Sequence, residues 1–318
     1  MKFSVVAAAL ASTSAVYGHA TFQYAWKNGV DLGAGIGSYI RGPASNSPVK
    51  NVKSSDIICN TNNSPVPKTV EVSAGDVLTL EWQHDNRRDD IIDPTHQGPV
   101  LVYVAPTASN GQGAVWHKIF DQGFSGGNWA TDKLIAAKGT VSITVPNLTA
   151  GEYLIRPEII ALHEADTDFA VNPARGAQFY MGCMQIKVVS SGSVKLSSGI
   201  NFQTDYKSDG TGILFNVYGT PGSSYVSPGG PVESFAVAGA GIGPVPAAGS
   251  KPSATPPAPA TTTRPATTTK PASSALPTSK MTTVTIRSST TAPVPTNPSV
   301  ATVAKYGQCG GIGYTGSK

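Results

Sequence analysis

"KTVEVSAGDVLTLEW", residues 68–82, decides the fold class. Apolar and polar residues alternate on both sides of Gly75-Asp76, so each half turns one face inward, and the Gly-Asp pair marks a turn between them. Outward from this stretch the same pattern recurs. "GPVLVYVAP" (98–106), "GTVSITVPNL" (139–148), "GEYLIRPEII" (151–160) and "AQFYMGCMQIKVV" (177–189) are strand-length runs bounded by Gly, Pro and Asn. No helical period is sustained anywhere. The expected fold is therefore all-β, an immunoglobulin-like (fibronectin III-like) antiparallel β-sandwich with long surface loops. Those loops are expected at 24–60, 83–98 and 190–235, where sites tend to sit. "GVDLGAGIG" (29–37) has neither a preceding strand nor an opening helix and reads as loop, not as a phosphate cradle.

The two ends of the chain differ from this body. "MKFSVVAAALASTSAVYG" (1–18) has an early lysine, an apolar stretch and a small final residue, the layout of a secretory signal peptide too short to span a bilayer. Cleavage before His19 fits, and a cut after Ala20 fits as well. A catalytic domain is expected over 19–240, followed at 241–304 by a Pro/Thr/Ser-rich linker. That linker has no aromatic residue between Phe235 and Tyr306 and cannot bury enough apolar surface to fold, so it is expected to be disordered. Residues 305–318 are Gly-rich, with one cysteine and two tyrosines.

Charge follows the same division. The 318-residue chain nets +4, yet all nineteen acids lie between Asp31 and Glu233, against fifteen basic residues from 19 to 244. A body of net −4 is a poor partner for nucleic acid, which demands clustered cations. No membrane segment is expected either. Of three cysteines, Cys59 and Cys183 share the body and can pair in an oxidising compartment; two buried thiols are the alternative. A bridge would close a long loop and stabilise by about 4–5 kcal/mol in the chain-entropy model. Asn62 in "NNS" and Asn147 in "NLT" are glycosylation sequons, in keeping with a secreted protein.

Chemistry rests on five histidines: His19, His84, His96, His117 and His163. Zinc-type spacings and "HExxH" are absent, and no "GxSxG" stands out. A histidine at the chain start is unusual, because its free amine and ring Nδ1 can chelate one metal ion together, the amine having a pKa of about 8. One further imidazole completes three nitrogens in a plane, a set suited to Cu(II). His96 sits in "DPTHQGPV", a loop feeding directly into a strand, and His163 ends "YLIRPEIIALH". Gln178 and Tyr180 are two apart and share a strand face, with Cys183 on the opposite parity. An amide, a phenol and an imidazole near one metal could tune it and supply a weak axial ligand. His84 and His117 read as ordinary hydrogen-bonded histidines.

These segments carry a resemblance. "GHATFQYAW", "GSYIRGPASNSPVKNVKSSDIICN", "DPTHQGPVLVYVAP", "EYLIRPEIIALHEAD" and "GAQFYMGCMQIKV" resemble the fungal auxiliary activity family 9 lytic polysaccharide monooxygenases, formerly glycoside hydrolase family 61, over nearly all of 19–235. The resemblance implies a secreted, monomeric copper enzyme that oxidatively cleaves β-1,4-glucan chains in cellulose at C1 or C4. It would use an external electron donor and O2 or H2O2. It implies that His19 ligates copper through amine and Nδ1, His96 through its other ring nitrogen, and Tyr180 as axial phenol. His163 and Gln178 match the pair that hydrogen-bonds the oxygen reactant. Cys59 and Cys183 match the family disulfide, and Tyr225 in "SSYVSPGGPV" matches an exposed tyrosine that packs on sugar rings, although a tyrosine there could equally be core.

The tail "YGQCGGIGYTG" resembles the start of a fungal family 1 cellulose-binding module, but with one cysteine it lacks the bridges such a module needs. Two rival functions remain. A hydrolase would use a carboxylate pair drawn from Asp93, Glu158, Glu164 and Asp166. A metal-free accessory protein would only adhere to cellulose.

Overall fold

The computed structural model describes residues 18–249 apart from 88, 239 and 240. Eleven strands run in chain order: β1 Thr21–Lys27, β2 Val30–Ala34, β3 Ile40–Arg41, β4 Val70–Val72, β5 Val77–Gln83, β6 Val100–Pro106, β7 His117–Gln122, β8 Thr140–Thr144, β9 Gly151–Ala161, β10 Gln178–Met181 and β11 Cys183–Val188. They form a four-stranded sheet, β2-β1-β5-β8, and a seven-stranded sheet built on the order β3-β11-β9-β6-β7, with β10 also on β9 and β4 on β11. All named pairings are antiparallel except β4 with β11, which is parallel. The expected β-sandwich is thus present, with one parallel pair at its margin.

Between the sheets lies one core, with Phe22, Leu78, Leu80, Trp82, Val141 and Ile143 from the small sheet against Val102, Val104, Ile155, Ile159, Met184 and Ile186 from the large one. The large sheet buries its other face too. Leu101, Tyr103, Leu154, Ile160, Phe179 and Met181 pack beneath loops and short helices bearing Ile57, Ile58, Trp116, Trp129, Phe202 and Tyr206. This explains why "VLVYVA" and "IIA" are continuously apolar instead of alternating: both faces of those strands are dry. The helices are α1 Asp56–Cys59, α2 Ala130–Ala136 and α3 Phe202–Asp205. The Cys59–Cys183 disulfide ties α1 to β11.

Three expectations are corrected here. Residues 24–60 are not one loop, since β1, β2 and β3 occupy much of its first half, and "GVDLGAGIG" contains β2. The missed signal was Asn28-Gly29, whose φ values of 50° and 77° turn β1 into β2 as a tight hairpin. The domain boundary at 240 is also too early. Residues 241–243 pair with the free edge of β8, where Ile242 bridges Val141 and Ser142 N–H donates to Gly241 O (2.9 Å), and Gly249 N–H donates to Asn28 O (3.2 Å) in the β1–β2 turn. Thr79 and Ser142 are buried and joined hydroxyl to hydroxyl (2.7 Å). The leader 1–17, the rest of the expected linker and the tail at 305–318 lie outside the described residues. No helix among the described residues is long and apolar enough to cross a membrane.

Candidate metal centre

One end of the sandwich gathers the residues singled out above. His19 immediately precedes the small sheet's first strand. His96 sits in a turn ahead of β6, His163 in the turn that leaves β9, and Tyr180 on β10 faces the space between the sheets. The ring centroid of His19 lies 6.0 Å from that of His96 and 5.9 Å from that of Tyr180; His96 and Tyr180 are 6.1 Å apart, and His96 and His163 are 4.0 Å apart. Four residues from four separate stretches thus meet at one place.

The local sequence explains each placement. In "DPTH", Asp93 accepts hydrogen bonds from Thr95 N–H (2.8 Å) and Thr95 Oγ1 (2.6 Å), an Asx turn that holds the loop, and His96 N–H closes onto Asp93 O (2.9 Å). Those Thr95 bonds hold the Asp93 carboxyl below its ordinary pKa. Gly98 then lets the chain pass against β9, because a Cβ there would lie 1.8 Å from Ile160 O. A tight turn, Ala165 N–H to Leu162 O (3.0 Å), carries His163 and Glu164 over the start of β10. On β10, Gln178 and Tyr180 pair with Ala161 and Ile159 and share a face, as their spacing predicts.

The electrostatics favour neutral ligands. Burial, reinforced by His163 and His19, pushes the His96 pKa down to about 3, and burial also lowers His19 and His163. Each imidazole therefore keeps a free lone pair at neutral pH. His96 Nε2 and His163 Nδ1 are buried with no hydrogen-bond partner, although such atoms are normally paired. Burial raises the Tyr180 phenol far above its usual value, so it stays protonated, and it donates its proton to Gln178 Oε1 (2.5 Å). The oxygen lone pairs of Tyr180 are thereby left to face the histidines.

Among the described residues no three His, Cys, Asp or Glu side chains converge to hold a metal. The donors gathered here are two imidazoles, a phenol and the backbone nitrogen of His19. Gly18 packs so closely on this group that a Cβ there would lie 2.6 Å from His96 Cε1. Cleavage before His19 would free the amine and uncover the His96 ring in one step.

Other expectations divide. Tyr225 is corrected: it is half-buried, edge-on to Trp129 (5.0 Å) and Phe215 (5.1 Å), with its hydroxyl donated inward to Gly212 O (2.8 Å). Trp129 and Phe215 claim its ring as core. Among the described residues the exposed aromatic is Tyr218, at 72%. His117 is the buried, bonded histidine expected, meeting Glu233 (2.7 Å) and Ser197 O (3.2 Å). His84 binds Asp90 (2.9 Å) but also sits close enough to His19 to lower its pKa. Asn46, which hydrogen-bonds His19, and Lys50 were missed, since neither belongs to a spacing motif. Asn62 and Asn147 are exposed, as sequons require.

The carboxylates offer no free pair. Glu158 is fully buried on Arg156 and Tyr206, Asp166 pairs with Arg175, Asp93 caps its own turn, and Glu164 is held by Lys50 and Gln178. A hydrolytic acid and base would have to break existing bonds.

The chain is similar to known proteins in sequence and fold. A family model for Auxiliary Activity family 9 (formerly GH61) matches residues 19–225. A curated "AA9 family lytic polysaccharide monooxygenase A" of Armillaria gallica is 48% identical over 240 residues, 74% of this chain and 94% of its own length. Among solved structures, CvAA9A is 43% identical with a TM-score of 0.65, covering 68% of this chain and 98% of its own. A cellulose-active polysaccharide monooxygenase from M. thermophila is 26% identical with a TM-score of 0.56, covering 68% and 99%. With the histidine end, the two-sheet scaffold and these matches in accord, the chain belongs to Auxiliary Activity family 9 and is an oxidoreductase of the lytic polysaccharide monooxygenase class.

Proposed function

We propose that the mature protein is a secreted, monomeric, copper-dependent monooxygenase that cleaves β-1,4-glucan chains of cellulose. The observation that carries this reading is the unpaired, buried Nε2 of His96 facing His19 and the Tyr180 phenol. A set of nitrogen donors with one phenol oxygen suits Cu(II) by its donor chemistry. His19 would hold copper through its freed amine and Nδ1, His96 through Nε2, and Tyr180 through its phenol oxygen.

When bound, copper would supply one-electron redox chemistry and the activation of O2 or H2O2 needed for hydroxylation at C1 or C4, with electrons from an external donor. The protein's own groups supply the rest. His163 and Gln178 border the site and offer hydrogen bonds to the oxygen co-substrate, held in place before reaction. Thr95 meets His96 Nδ1 (3.3 Å) and steadies the ring that presents Nε2 outward. Tyr218 sits near the Arg175–Asp166 pair on the loops beside Glu164, and its exposed ring is the aromatic best placed to lie on a sugar.

The test is a copper titration of secreted protein with an N-terminus verified as His19, followed by mass spectrometry of oligosaccharides released from amorphous cellulose with ascorbate. One tight copper per chain and oxidised ends are expected, both lost in His19→Ala. Sugar release that survives EDTA would favour a hydrolase. Binding to cellulose without any oxidised product would favour an accessory protein.

A further inference from the structure

We propose that Glu164 is a positioning residue that fixes the orientation of the Gln178 carboxamide. The inference rests on the reading above, in which Gln178 serves the oxygen co-substrate. Gln178 is buried, and both ends of its amide are engaged. Nε2 donates to Glu164 Oε2 (2.9 Å), while Oε1 accepts the Tyr180 hydroxyl proton (2.5 Å). A carboxylate only accepts and the phenol here donates, so the reversed amide would set oxygen against oxygen at Glu164. One orientation survives. It leaves the second N–H of Gln178 free for the site, and it keeps the phenol proton turned away from the histidines.

Glu164 is itself anchored. Lys50 Nζ donates to the same Oε2 (3.2 Å) and to Ala174 O (2.9 Å), and Gly176 N–H donates to Glu164 O (2.9 Å). The turn at 162–165, the 174–176 stretch and Lys50 thus converge on one carboxylate. Without it, nothing on the nitrogen side distinguishes the two ends of the amide. Rotated, Gln178 would point its N–H at the phenol and its carbonyl oxygen at the site, where that oxygen would repel the co-substrate.

The test compares Glu164→Ala, Glu164→Gln and Lys50→Met in the secreted chain. In copper-free protein, NMR of the Gln178 side-chain amide should show one Nε2 proton shifted downfield by its bond to residue 164 in wild type and in Glu164→Gln, whose carbonyl still accepts. In Glu164→Ala that proton should move to the position of an unbonded glutamine amide. With copper loaded, Glu164→Ala should lose about tenfold to a hundredfold in kcat on a soluble cello-oligosaccharide. Its KM should be unchanged, its EPR hyperfine pattern altered, and Glu164→Gln should recover most of the rate. Lys50→Met, which removes one anchor of the carboxylate but leaves its bond to Gln178, should show a clearly smaller change than Glu164→Ala in all of these.

An unaltered Gln178 amide signal in folded Glu164→Ala would overturn the proposal. So would equal losses in Glu164→Ala and Lys50→Met, which would mark the ion pair as loop reinforcement only. If wild type bound no copper, the function proposed above would fail while the copper-free NMR comparison still decided the role of Glu164.

Discussion

Strand β9 carries two polar clusters a few residues apart, and they are built on opposite rules. Midway along it, Glu158 accepts from Arg156 (2.6 Å) and from Tyr206 (2.9 Å), Tyr206 meets Tyr103 (2.8 Å), and Arg156 donates to Ile58 O (2.6 Å) and Ile57 O (2.8 Å). Only Nη1 of Arg156 lacks a partner in that group. Just past the strand's end, His163 and His96 keep ring nitrogens buried and unpaired. The first cluster is closed, so it holds the loop layer to the sheet and offers nothing to a ligand. The second is left open at the rim, and unsatisfied polar atoms there are what a metal can use. A carboxylate on this strand is therefore structural even though it belongs to a family that acts on polysaccharides.

Substitutions should separate the two clusters. The largest effect is expected from His96→Ala, which should abolish copper uptake in a calorimetric titration while leaving copper-free stability within about 1 kcal/mol. Glu158→Ala should do the reverse. It leaves Arg156 charged and buried, and denaturant unfolding should show a loss of about 3–5 kcal/mol with normal copper uptake by the folded fraction. Loss of copper binding in folded Glu158→Ala would join the two clusters and break the comparison.

Tyr225→Ala, which empties an aromatic core position, should cost about 3 kcal/mol in the same assay. Acid should weaken the rim selectively. His19, His96 and His163 have pKa values held below the ordinary 6.5, His96 down to about 3, so from about pH 6.5 down to about 3 the unfolded chain takes up protons that the folded chain refuses. Stability of the copper-free protein should be full above pH 6.5 and fall as pH drops through that window, less steeply in His96→Ala. The smallest effect is expected at Tyr218. Its replacement by alanine should leave stability within about 0.5 kcal/mol and weaken adsorption to cellulose by about 0.5–1.5 kcal/mol.

Much of this was legible along the chain. Alternation around Gly75-Asp76 and the bounded apolar runs place β4, β5, β6, β8, β9, β10 and β11. The loop "DPTHQG" marks His96 as held at a sheet edge, and the two-residue spacing of Gln178 and Tyr180 puts both on one face. The Asn28-Gly29 hairpin was equally legible and was passed over for a glycine-rich loop. Tyr225 and Tyr218 could not be ranked this way. Both lie in an irregular segment, where no period says which ring turns inward, and only the packing of Trp129 and Phe215 decides it. Where the domain gives way to the linker was hidden for a related reason. "AGAGIGPVPAAG" looks like a spacer in composition, yet its backbone pairs with the free edge of a sheet formed far earlier in the chain.

By itself the order of residues determined which segments could be strands, which cysteines shared the body, and which side chains could bind copper, because periodicity and donor chemistry are local properties. Tertiary structure alone decided that Glu158 is sealed while His96 is open, that Glu164 grips an amide instead of serving as an acid, and that one tyrosine is core while another is surface. Those outcomes depend on which distant groups arrive to satisfy each polar atom, and no local pattern encodes that arrival.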